Sequence, residues 1–156
     1  MNPSQFLNAI AAGEKNFPGI CLHGVNLMGV NLSQLNLSRA DLSGADLSGA
    51  NLSGTNLSQA NLTNTDLNQA DLRSANLSQV NLIGASLISA KMGRSNLTCA
   101  DLRSANLTNT DLIGAILTNV ELSGADLNGA NINEAELNQA CCHAGVSHDW
   151  ISWSGQ

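Results

Sequence analysis

The chain has 156 residues, a formal net charge of −6 and only four aromatic side chains, Phe6, Phe17, Trp150 and Trp153. A globular core of that size normally draws on more large rings, and an acidic chain repels nucleic acid, so direct nucleic-acid binding is not expected. No run of 18 apolar residues is present, which excludes a membrane-spanning helix.

The N-terminal MNPSQFLNAIAAGEKNF lacks a basic start followed by an apolar core, so it does not read as a signal peptide and a cytoplasmic location is expected. Within it, residues 3–13 predict a short helix. Phe6, Leu7 and Ile10 fall at spacings that share one face, Pro3 or Ser4 suits the start and Gly13 the end. Residues 1–19 are expected to form a cap.

From Ile20 to Gln139 the chain repeats every five residues, as in ADLSG, ADLSG and ANLSG from Ala40 to Gly54. Leucine recurs from Leu22 to Leu137 at 24 positions, with Met92 and Ile132 the two departures. The residue two before it is Ala in 14 of 24, and the one just before is Asn in 11 and Asp in 7, so the motif reads small, Asn/Asp, Leu and two small polar residues. Five residues turn a helix by roughly 140°, so the leucines would form no stripe. A flat strand alternates faces with period two, and an odd repeat would point every second leucine outward. The leucines stay inside only if the chain bends once per pentad, which makes an all-β solenoid with Leu and Ala within and Asn, Asp and Ser outside.

The first coil has Ile20, Val25, Val30 and Leu35 at its small positions, which predicts widening under the cap. Later, Ser86, Lys91, Ile116, Glu121 and Glu136 replace Asn or Asp, and residues 90–96, with Met92, Gly93 and Ser95, look least regular. Residues 140–156 leave the register. Trp150 and Trp153 there read either as a lid over the last coil or as a dimer contact.

The motifs ADLSG, ANLSG and ANLTN resemble the pentapeptide-repeat family, whose pattern is A(D/N)LXX, over residues 20–139. The resemblance implies a right-handed quadrilateral β-helix with four pentads per coil. Six coils follow, stacked at roughly 4.8 Å into a rod about 29 Å long. The AAGEKNFPG entry is similar to bacterial, especially cyanobacterial, members. The family implies no cofactor. It also includes DNA-mimicking proteins that bind DNA gyrase, which makes a modulator of gyrase the alternative to a non-enzymatic protein-binding scaffold. Such mimics are acidic along the whole rod.

Here the charge is uneven. Residues 1–103 carry six acids and six bases, whereas residues 104–156 carry Asp111, Glu121, Asp126, Glu134, Glu136 and Asp149 with no Lys or Arg. That end is the expected docking surface for a basic partner protein. With four sides per coil, the outward Ile83, Ile88, Ile113 and Ile116 form an apolar band in the fourth and fifth coils, a second element of the expected surface.

Little points to catalysis. Cys21, Cys141, Cys142, His23, His143 and His148 are potential ligands, but adjacent cysteines chelate one tetrahedral ion poorly and no C-x-x-C occurs, so no metal is expected. Cys21 and Cys141 lie six coils apart, far beyond the roughly 7 Å between Cα atoms that a disulfide tolerates. The histidines sit at the two ends, away from any shared pocket, and a convex rod offers no cleft, so no enzyme is expected.

Overall fold

The computed structural model describes residues 1–140 and the strand Ser152–Trp153. Its body is a ladder of parallel bridges, each joining a residue to the one twenty positions on, from Asn16↔Asn36 and Cys21↔Asp41 to Asp111↔Asn131. Bridges step by five and partners lie twenty apart, so each coil has four sides. These are single bridges separated by turns, because each side is too short to extend into a longer strand.

One hydrogen-bond scheme recurs from coil to coil. The residue before leucine donates to the coil beneath and leucine donates to the coil above, as in Asp41 N–H to Ile20 O at 2.9 Å and Leu42 N–H to Asn61 O at 2.8 Å. Gly44 N–H then reaches Thr63 O at 2.9 Å, and Ala45 N–H closes the corner on Leu42 O at 3.0 Å. The third residue of each such corner has positive φ, the mark of a type II turn. Glycine suits it, yet thirteen non-glycine residues, Arg39 and Gln79 among them, adopt it with φ near 60°. Each costs about 1–2 kcal/mol in isolation, which the ladder bonds on both sides of the corner offset.

The interior follows the register. Leucines from Leu22 to Leu127 are at most 2% exposed, and the alanines before them fill the corners. Each leucine contributes about 1.5–3 kcal/mol through burial. Thr55, Thr65 and Thr110 replace alanine inside the tube, and each hydroxyl donates to a leucine carbonyl of the coil beneath, Leu32, Leu42 and Leu87. Residues 90–96, expected to be irregular, keep the ladder: Met92 and Ser95 are fully buried and the Ser95 hydroxyl donates to Met92 O.

The N-terminal helix α1, Pro3–Ala11, is fixed at its start by Asn2 and Gln5, which form a reciprocal capping box at 2.8 and 2.9 Å. It lowers Phe6 into the mouth of the tube, edge-on to Phe17 with ring centroids 4.8 Å apart. Ala9 and Ile10 rest against the core, but Leu7 is 38% exposed and does not share that face. Phe17 takes a leucine's place, its N–H on Asn36 O at 2.8 Å, so the ladder begins a pentad ahead of Leu22. Ile20, Val25 and Val30 are half-buried around the mouth.

At the other end the sequence keeps its period and the backbone does not. Strand β1, Asn131–Ile132, is followed by one helical turn, α2, Glu134–Leu137, capped by Asn133 accepting from Glu136 N–H at 2.7 Å. Leu137 still points inward. A helix advances less per residue than a strand, and the register slips accordingly. β1 pairs in parallel with β2, Ser152–Trp153, as Asn131↔Ser152 and Ile132↔Trp153, an offset of twenty-one.

Candidate interaction surface

The Asn/Asp side chains are part of the backbone's own bonding. At position after position the Oδ1 atom accepts the N–H two residues on and the hydroxyl beside it, as Asp46 does from Ser48 at 3.0 and 2.6 Å. This is why the motif couples Asn/Asp with Ser or Thr across the leucine. The hydroxyl and N–H of Ser43 and of Ser48 hold the Asp41 and Asp46 carboxyls below the usual range. Asp71 and Asp101 are lowered chiefly by hydrogen bonds from Arg73 and Arg103, in ion pairs of 2.7 and 2.8 Å. The arginine pKa values rise in turn. These pairs are on the surface and screened, so they orient more than they stabilise.

Asp111 and Glu134 are exposed, whereas Glu121, Asp126 and Glu136 are half-buried. They lie on different sides and form an acidic collar around the last two coils. The Glu136 carboxylate also holds the backbone: its Oε1 accepts Gly114 N–H at 2.9 Å, where the ladder would otherwise use a backbone carbonyl of the next coil. Sequence reasoning missed this, because only the α2 turn brings that carboxylate over Gly114. Among the described residues, Glu136 Oε2 and Asn128 Oδ1 are buried and find no hydrogen-bond partner.

The isoleucines do not form one band. Ile83 and Ile88 are half-buried within their sides, while Ile113 and Ile116, 36% and 46% exposed, flank a single corner at Gly114. Trp150 lies outside the described residues. Trp153 is described by its backbone alone, in register with Ile132.

Of the candidate ligands, Cys141, Cys142, His143 and His148 lie outside the described residues. Cys21 and His23 are exposed on the first coil, and His23 Nδ1 lies 2.8 Å from the Ser43 hydroxyl, which itself donates to Asp41. Among the described residues no three His, Cys, Asp or Glu side chains are grouped to hold a metal ion. Contrary to the expectation of no cleft, the described residues form a concavity near the start of α1. It is an open hollow of about 370 Å³ at the N-terminal rim, lined by Met1, Glu14, Phe17, Pro18, Ile20 and Cys21.

A four-sided solenoid with leucine inside and hydrogen-bonded Asn/Asp outside defines the class. The family model described as pentapeptide repeats matches residues 20–59, 56–94, 95–133 and 105–141, in eight copies, and the chain belongs to the pentapeptide-repeat family. Among solved structures it is similar to the pentapeptide repeat protein Rfr23 from the cyanobacterium Cyanothece 51142. Identity is 30%, coverage 81% of this chain and 97% of that one, and the TM-score 0.72. It shares its fold with QnrB1, a plasmid-mediated fluoroquinolone resistance protein, at 16% identity, 90% and 87% coverage and a TM-score of 0.65. HetL from Nostoc sp. strain PCC 7120, involved in heterocyst differentiation regulation, is 28% identical over 94% of this chain and 79% of its own, with a TM-score of 0.41. No curated protein matches the sequence.

Proposed function

We propose that the chain is a non-enzymatic rigid scaffold that binds another protein through its side and its acidic C-terminal end. The observation that carries this reading is the exterior itself. An unbroken ladder from Asn16 to Asn131 is dressed with side chains already tied to the backbone, so a docking partner meets groups at fixed spacing. Such a surface loses little conformational entropy on binding. Family membership supports right-handed coiling of about six turns, and a cytoplasmic location goes with the same reading. Asp111, Glu121, Asp126 and Glu134 give a basic partner its complement, with Ile113 and Ile116 beside them. The pairing of Trp153 with Ile132 favours the lid role for the tail over a dimer contact through it.

The absence of Lys and Arg after residue 103 favours one second reading, a DNA-mimicking modulator of gyrase, and the zero net charge of residues 1–103 works against it. The two separate by experiment. Affinity capture from native extract should recover one specific protein, released when Asp111, Glu121 and Glu134 are changed to Asn or Gln. Recovery unaffected by those changes contradicts the acidic-end reading. Gyrase supercoiling altered by micromolar protein would move the assignment to the second reading.

A further inference from the structure

The corner at Gly114 carries an arrangement that the repeat does not require. Ile113 and Ile116 stand where the motif places a hydroxyl and an Asn, in adjacent columns of the same coil, and they are the most exposed of the outward isoleucines. Between them Gly114 has no side chain, and directly below Ile113 stands Gly93, also without one. The coil beneath carries Lys91, bridged to Asp111, and Arg94, whose Cγ lies 3.1 Å from where a Gly114 Cβ would sit. Both cations are exposed and neither joins an ion pair among the described residues. The coil above carries exposed Glu134 at the start of α2, which Glu136 tethers to Gly114 N–H. Along the rod axis the corner therefore reads positive, apolar, negative, with coils about 4.8 Å apart.

That order is self-complementary. We infer that a second copy of this chain docks here, antiparallel, about a two-fold axis at the level of Gly114. The rotation that reverses the rod keeps each column opposite itself. Ile113 meets Ile113 and Ile116 meets Ile116 of the other copy, with the two Gly114 corners letting the backbones approach. Arg94 of each copy then faces the other copy's uppermost coil, which carries Glu134 at the start of α2, and Lys91 lies within one coil of the other copy's Asp111, offsetting the approach of the two Asp111 carboxylates near the axis. A contact that maps one patch onto itself is the isologous kind that closes as a dimer. A corner buries less than the roughly 1,200 Å² of standard stable interfaces, so the association is weak and salt-sensitive. Such a dimer needs no other partner, but it covers Ile113, Ile116 and Glu134 of the surface proposed above, so dimer and partner compete for that corner.

The test is the mass of the full chain in solution, by sedimentation equilibrium across concentrations up to on the order of 100 µM, at low and high salt. The expected result is a dimer at low salt that weakens at least tenfold as salt is raised. Ile113→Ser with Ile116→Asn restores the motif's own residues, so the fold is kept, as an unchanged melting transition will show, and the dimer is lost. Arg94→Glu alone also abolishes it, and adding Glu134→Arg restores it. A monomer at every concentration overturns the inference. So does a dimer that survives the isoleucine changes, or one lost only on Trp150→Ala with Trp153→Ala.

Discussion

Asn68 Oδ1 accepts the backbone N–H of Ile88 at 2.9 Å and the Ser86 hydroxyl at 2.5 Å, reaching up from the coil beneath. At other pentads the Asn or Asp just before the leucine accepts the equivalent N–H, but position 86 is Ser and its side chain is too short. Asn68 stands in the column of Ser48 beneath it and Thr108 two coils above, and its carboxamide fills the gap. The repeat's departure at residue 86 is thus compensated from the coil beneath. Asn68→Ala should destabilise by about 1–3 kcal/mol, because a half-buried N–H loses its acceptor. Ser86→Asp should supply the missing local acceptor and make the Asn68 change nearly neutral. A double-mutant cycle in urea reads the coupling, and additive effects would contradict the substitution of one residue for the other.

Leu67 sits in the middle of the rod with no exposed surface. Leu67→Ala should cost about 2–5 kcal/mol, since neighbours held by ladder bonds on both sides relax little into the void. Urea unfolding measures it, and a loss under about 0.5 kcal/mol would be incompatible with the interior position.

Thr65 donates its hydroxyl to Leu42 O at 2.9 Å inside the tube. Thr65→Val keeps the shape and removes one bond, and Leu42 O retains the corner bond from Ala45 N–H. The expected cost is about 0.5–1.5 kcal/mol, well below that of Leu67→Ala on the same assay.

The pH dependence follows from the four carboxyls that are lowered, Asp41, Asp46, Asp71 and Asp101. A carboxyl with a folded pKa below its unfolded value stabilises fully above the unfolded value, near 3.9, and ceases to as pH falls through the folded one. These groups should therefore leave the urea midpoint unchanged from pH 7 to about pH 5 and lower it below about pH 4. A midpoint that rises on acidification below pH 4 would contradict the hydrogen-bonding scheme.

Much of this fold was legible because the leucine register forces a bend per pentad whatever the other residues do. The exceptions share a cause: they depend on neighbours a coil away. Phe17 was missed as the first interior position because KNFPG does not resemble the motif, yet its ring fills the mouth with Phe6. NEAEL keeps the pentad spacing but combines an Asn cap with good helix formers, and the helical turn wins. The acidic collar was readable as charge. The concentration of exposed isoleucine at one corner was not, because burial of Ile83 and Ile88 depends on what their sides stack against.

The most direct test of the four-sided pitch uses Cys99, which stands in the same corner column as Gln59 and Gln79, joined to each other at 3.0 Å. Gln79→Cys puts a thiol twenty residues from Cys99, with Cα atoms about 4.8 Å apart, inside the range a disulfide accepts. Ser74→Cys and Gly84→Cys put one on neighbouring corners instead. Mild oxidation followed by mass spectrometry of proteolytic fragments should find the bond to Cys99 for the Gln79 variant and for neither control. Bonding in a control, or none in the Gln79 variant, would contradict a coil of twenty residues.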